Sequence, residues 1–193
     1  MKSKAVFLDK DGTLIPDIPY NVNPELITLE NNVVEGLKSL QEAGYKHIVV
    51  SNQSGVARGY FTEDRLLAVH EKMKALFVDN GLELYGFYYC PHHPEGITEG
   101  YDKDCSCRKP KPGMLLKAAK DLNIDLSQSW MVGDILNDVE AGNRAGCRSV
   151  LIDNGNETEW VQGAYRIPTL TCNSINEAAR LMLNTNAHEL AKL

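Results

Sequence analysis

Two aspartates separated by one residue stand where an apolar run meets a glycine, in Phe7-Leu8-Asp9-Lys10-Asp11-Gly12-Thr13. In an extended segment positions i and i+2 project to the same side, so Asp9 and Asp11 can converge on one reacting atom while Lys10 points elsewhere. Carboxylates held this close repel, which is tolerable when a divalent cation lies between them or when one of them keeps a proton. Both arrangements suit phosphoryl transfer, and so the pair is a candidate catalytic centre. The same residues would also serve an ordinary Asp-Gly turn after a strand, so the rest of the chain has to decide.

A second concentration of reactive side chains lies in Cys90-Pro91-His92-His93 and Cys105-Ser106-Cys107. Five cysteines are an odd number for a disulfide framework. A Cys-x-His pair, an intervening loop and a Cys-x-Cys pair offer three thiolates and one imidazole, Cys90, His92, Cys105 and Cys107, the ligand set of a closed tetrahedral zinc site. Soft ligands in a complete set favour zinc over iron or magnesium and leave no position for water, so the expected role is structural. Spacing alone leaves His93 open as an alternative to His92. Cys147 and Cys172 lie far off and read as small core or surface residues. Arg108-Lys109-Pro110-Lys111-Pro112 follows the last ligand directly, so fixing Cys107 fixes the cations. Metal binding can supply the energy that orders such a long loop.

These groups need a frame. Apolar runs at Ala5–Leu8, His47–Ser51, Gly86–Tyr89, Trp130–Val132 and Ser149–Ile152 are each short enough for a strand buried on both faces. Between them, Val33, Val34, Leu37 and Leu40 repeat at helical spacing, as do Leu66, Val69, Met73, Leu76 and Phe77, and then Met114, Leu115, Ala118 and Leu122. Alternating strand and helix predicts an α/β fold with a doubly wound, Rossmann-like parallel sheet flanked by helices. Ligands bind outside the carboxyl ends of strands in such sheets, and Asp9, Ser51, Cys90 and Asp134 all fall at or just past those ends. The candidate chemistry therefore gathers on one edge.

With 193 residues, 43% of them hydrophobic, and no linker or composition shift, the chain is expected to form a single domain over 1–193. A formal charge of −6 without a basic run argues against nucleic acid or an anionic membrane surface as partner, whereas a phosphorylated small molecule needs only local cations. Met1-Lys2-Ser3-Lys4 leads straight into a strand, and no run approaches a membrane span, so a cytoplasmic protein is expected, as a monomer. The segment after Asp153 is polar apart from a helix predicted to start at Ser174, where Ser174 and Glu177 form a capping box.

Asp-x-Asp-Gly-Thr after an apolar strand resembles the first motif of the haloacid-dehalogenase phosphatase superfamily. The resemblance implies Asp9 as the nucleophile that attacks phosphorus and Asp11 as the general acid and base. His47-Ile48-Val49-Val50-Ser51-Asn52 resembles the second motif and Lys109 the third, which puts Ser51 and Lys109 on the phosphoryl group. Met131-Val132-Gly133-Asp134 with Asp138 resembles the fourth. It implies magnesium held by Asp9, the Asp11 backbone carbonyl and Asp134, with Asp138 acting from behind or through water. The zinc loop and the run Cys105-Ser106-Cys107-Arg108-Lys109-Pro110-Lys111-Pro112-Gly113 are similar to the zinc-containing branch, which includes histidinol-phosphate phosphatases and heptose-bisphosphate 7-phosphatases. Asn52-Gln53-Ser54-Gly55-Val56-Ala57-Arg58-Gly59-Tyr60-Phe61 resembles the heptose enzymes. The resemblance runs from about Lys4 to Ile152. It implies a sugar bisphosphate substrate in nucleotide-heptose synthesis for lipopolysaccharide, contacted by Asp17, Ile18, Pro19, Tyr20, Asn52, Gln53, Ser54 and Arg108. It further implies no large cap domain, so loops alone must control access. The histidinol-phosphate activity stays open as the alternative, and the anomer is not fixed. One departure is Ile135, where the heptose enzymes often carry lysine; this puts a second phosphate or hydroxyl contact there in question.

Overall fold

The structure, a computed structural model, describes residues 2–190, with side chains described for residues 2–185. Met1 and residues 191–193 of the expected single unit lie outside that range. Six strands form one sheet: β1 (Lys4–Leu8), β2 (Tyr45–Asn52), β3 (Leu84–Cys90), β4 (Trp130–Gly133), β5 (Arg148–Ile152) and β6 (Leu170–Cys172). Among the described residues five α-helices lie between or after them: α1 (Val34–Glu42), α2 (Arg65–Asp79), α3 (Gly113–Asp121), α4 (Leu136–Ala145) and α5 (Ile175–Leu190). Every pairing is parallel and the strand order is β3-β2-β1-β4-β5-β6. This is the doubly wound arrangement expected from the sequence, and it reverses its winding between β1 and β4.

Strand alternation divides the core. Val6, Leu8, Val49, Trp130, Val132 and Val150 pack against Leu37 and Leu40 of α1, Leu66, Val69 and Phe77 of α2, and Ala178 and Met182 of α5. Ala5, Phe7, Ile48, Val50 and Met131 face the other way, onto Met114, Leu115 and Ala118 of α3 and Ala141 of α4. Each fully buried large apolar side chain contributes about 1.5–3 kcal/mol of transfer free energy, so the strands that carry the site are firmly held.

β6 went unpredicted because Leu-Thr-Cys, with a polar residue in its middle, makes no continuous apolar run. The predicted start of the last helix holds, since Ser174 Oγ accepts the Glu177 N–H at 3.2 Å. Glu177 returns the bond one residue earlier than a capping box would, to the Asn173 N–H at 3.1 Å. No cap domain is inserted among the described residues; the longest connections at the catalytic edge are the loops 9–33 and 91–112. No helix is long and apolar enough to cross a membrane among the described residues.

Candidate active site

The end of β1 hands Asp9 to the neighbouring strand end, its N–H donating to the Val132 carbonyl at 2.9 Å. The side chain of Lys109 reaches it from the loop before α3. Lys109 is buried; its ammonium donates to Asp9 Oδ1 and to the Val50 carbonyl at 2.9 Å, and it forms an ion pair with Asp138 Oδ1 at 2.6 Å. Burial pulls the Lys109 pKa down, but the carboxylates of Asp138 and Asp9 outweigh it and hold the pKa above the ordinary lysine value. Asp138 is drawn inward from the first turn of α4, and burial shifts its carboxyl upward against the pull of Lys109.

Asp11 does not share that cation. Gln53 donates from Nε2 both to Asp11 Oδ2 at 3.0 Å and to Ser51 Oγ at 2.8 Å, so one amide ties the acid to the strand-end hydroxyl. The other Asp11 oxygen takes the Lys10 ammonium. The expectation that Lys10 points elsewhere is therefore wrong: the chain bends at Lys10, strand alternation stops at Leu8, and the fully buried lysine folds back onto its neighbour. Burial raises the Asp11 pKa, with Lys10 lowering it and Asp9 raising it, and the net shift is upward. A carboxyl whose pKa is shifted upward beside a charged neighbour suits general acid work.

Asp134, at the start of the β4–α4 connection, completes the acid set. One oxygen accepts from Thr13 Oγ1 at 3.1 Å and the other from Asn156 Nδ2 at 2.7 Å. Ligand atoms of Asp9, Asp134 and Asp138 lie within 4.8 Å of one another, and all three residues are buried. Lys109 is the one ammonium paired to this trio among the described residues, so excess negative charge remains that a hard, oxygen-seeking divalent cation fits. Burial, and then Asp9, push the Asp134 carboxyl up to about 6 against the Asn156 and Thr13 bonds. A raised carboxyl means that the fold holds a proton which the unfolded chain has already released. Without a cation, stability should thus fall as pH rises from about 4 to about 6. As pH falls through that window the proton should compete with metal. Magnesium affinity measured by calorimetry is expected to weaken about tenfold from pH 7 to pH 5, the fraction by which a group titrating near 6 loses its charge. A pH-independent affinity would remove Asp134 from the ligand set.

The thiols also converge. Cys107 Sγ lies 3.1 Å from Cys90 Sγ and 3.1 Å from Cys105 Sγ, and His92 Nδ1 lies 3.4 Å from Cys107 Sγ. Three thiolates this close would repel strongly unless a cation sat among them, and the N/S donor set fits zinc. His93 stands outside the cluster, its Nε2 3.2 Å from Arg58 Nη2. Cys147 and Cys172 are both buried core residues.

A cavity of about 280 Å³ opens beside Asp11, lined by Asp17, Ile18, Pro19, Tyr20, Asn52, Gln53 and Ser54 together with Asn21, Gly55 and Phe61. Arg108 is not among its walls. Its Nη1 lies 3.5 Å from the His92 carbonyl, against the thiol cluster. Asn52 clamps the Lys109 backbone on both sides, accepting its N–H at 3.0 Å and donating to its carbonyl at 3.1 Å. Two of the side chains expected to touch substrate, Asn52 and Gln53, thus spend their amides on Lys109, Ser51 and Asp11. Thr13, Lys10 and Asn156 escaped the sequence reading. Thr13 at least was visible within the first motif, whereas Asn156 lies beyond the stretch that the motifs mark.

An all-parallel sheet in this order, with paired acids at the point where its winding reverses, defines a haloacid-dehalogenase-like hydrolase, and residues 106–178 match the HAD-hydrolase-like family model. The chain is 49% identical over 153 residues to the D-glycero-beta-D-manno-heptose-1,7-bisphosphate 7-phosphatase of Pasteurella multocida, covering 79% of this chain and 83% of that protein. It is 39% identical to the Vibrio cholerae protein of the same name over 95% of this chain and 98% of that one. The crystal structure of D,D-heptose 1,7-bisphosphate phosphatase from B. bronchiseptica, complexed with magnesium and phosphate, superposes with a TM-score of 0.80 at 32% identity, covering 94% of this chain and 99% of that one. The chain belongs to this heptose-bisphosphate phosphatase family.

Proposed function

We propose that the protein is a magnesium-dependent phosphatase that removes the 7-phosphate of D-glycero-β-D-manno-heptose 1,7-bisphosphate, in the synthesis of nucleotide-activated heptose for lipopolysaccharide. The observation that carries the chemistry is Asp9, anchored by a buried Lys109, standing beside an Asp11 whose pKa burial raises. The β anomer and the substrate follow the names of the relatives.

Asp9 attacks phosphorus in line, forming an aspartyl phosphate as the bond to the leaving alkoxide breaks, and Asp11 gives that alkoxide its proton. Asp11 then takes a proton from water, which attacks the aspartyl phosphate; inorganic phosphate departs and the Asp9 carboxylate returns. Gln53 keeps Asp11 turned toward the reacting centre, and Ser51 and Lys109 offer hydrogen bonds to equatorial oxygens. Each such preorganised donor contributes about 10²–10³ in rate. Asp9, Asp134 and the Asp11 carbonyl would hold magnesium, with Asp138 behind them, and the ion would neutralise charge on the phosphoryl group. Zinc would be structural, held by Cys90, His92, Cys105 and Cys107. Reduced thiols and a charged sugar bisphosphate both fit a cytoplasmic setting.

The test is phosphate release with magnesium from both anomers of the bisphosphate, from histidinol phosphate and from a small monophosphate. The β bisphosphate is expected to give the highest kcat/KM. Preference for histidinol phosphate would overturn the assignment.

A further inference from the structure

The loop that follows β5 has no part in the motifs, yet three of its side chains hold the catalytic edge together. Asn154 Nδ2 donates to the Gly12 carbonyl at 2.7 Å, and its Oδ1 accepts the Asn156 N–H at 3.2 Å. Asn156 Nδ2 donates to Asp134 Oδ2 at 2.7 Å. Glu157 Oε2 accepts the Leu136 N–H at 2.6 Å, one of the otherwise unpaired donors that open α4, two residues beyond Asp134. Contact here is close: a Cβ at Gly12 would lie 2.2 Å from Asp134 Oδ2 and 2.5 Å from Asn156 Nδ2. Gly12, Asp134 and Asn156 therefore form one packed unit drawn from the β1, β4 and β5 ends.

We propose that Asn156 is a positioning residue for the divalent cation, fixing the Asp134 carboxylate from the side opposite Thr13. The proposal rests on the reading of Asp134 as a cation ligand. A free carboxylate turns about its last bond. Asp134, gripped on one oxygen by Thr13 and on the other by Asn156, presents its remaining lone pairs in a set direction before the ion arrives. Neither donor carries charge, so the carboxylate keeps its net charge for a cation, which a lysine in place of Asn156 would cancel. Outer partners of metal ligands are commonly worth 10–100-fold in affinity.

The experiment titrates manganese into the purified, zinc-retaining protein without substrate and follows the free ion by electron paramagnetic resonance. Asn156→Ala is expected to weaken manganese binding about tenfold, in keeping with that range, while zinc content and the unfolding temperature of the magnesium-free protein stay close to wild type. Glu157→Gln, which disturbs the same loop without touching Asp134, should leave the manganese affinity within about twofold of wild type, since a neutral cap costs only part of one helix-end interaction. If Asn156→Ala is poorly folded, Asn156→Ser, too short to reach Asp134, takes its place. Unchanged affinity in the Asn156 variant would overturn the proposal, as would an equal loss in Glu157→Gln, which would mark the loop as a fastening only. No manganese binding by the wild type would instead sink the cation reading on which the proposal rests.

Discussion

Asp9→Asn is expected to abolish turnover while leaving the protein folded. Amide and carboxylate have nearly the same shape, so the packing at the end of β1 is kept. The buried Lys109 loses one anionic partner but retains Asp138 Oδ1 at 2.6 Å and the Val50 carbonyl at 2.9 Å, which limits the cost. Breaking a buried pair outright costs about 3–5 kcal/mol, and a lysine left with a second carboxylate should forfeit less than that. Chemistry has no such reserve. An amide oxygen is a poor nucleophile, and without the bond to phosphorus neither half of the reaction can proceed, so activity should fall by roughly three orders of magnitude or more. The measurements are steady-state phosphate release and a thermal melt on the same preparation. A variant that keeps more than about a tenth of wild-type turnover would show that Asp9 is not the nucleophile.

Much of this site was legible in the sequence because strand ends announce themselves. The five short apolar runs place Asp9, Ser51, Cys90 and Asp134 on one edge, and the sheet puts them there. The candidate zinc ligands could be read from spacing because soft donors in pairs have few other uses, and the four atoms do converge. What stayed hidden was how polar side chains are shared. Gln53 could be seen to stand near the site, but not that a single amide would bind both Ser51 and Asp11. Lys10 looked irrelevant under strand alternation, a rule that no longer holds where the chain bends. Asn154, Asn156 and Glu157 sit in a stretch of turn-forming residues, whose composition predicts a loop and is silent about what that loop touches. Long-range polar contacts, with separations such as the 142 residues between Gly12 and Asn154, leave no periodic trace in the chain.

Cys107→Ser is expected to damage architecture and chemistry together, and in a way that added magnesium cannot repair. Cys107 is central to the cluster, within 3.1 Å of both other sulfurs and 3.4 Å of His92 Nδ1. A hydroxyl in its place is a hard, neutral donor, so the set drops to three competent ligands and zinc should be lost during purification. Structural zinc supplies part of the energy that orders its loop, and that contribution disappears with the ion. The loop 91–112 carries Arg108 and Lys109, one and two residues beyond the substituted position. Lys109 retains its clamp by Asn52 and its buried carboxylates, so the loop should loosen rather than detach. The expected result is a melting temperature several degrees lower and activity about tenfold or more below wild type, a drop that saturating magnesium leaves in place. Elemental analysis decides between readings. Wild type prepared without chelators should hold close to one zinc, and less than about half an equivalent would reject the structural-zinc assignment. Full zinc and full activity in Cys107→Ser would show instead that the three remaining ligands suffice and that the loop owes its order to the contacts with Asn52, Asp9 and Asp138.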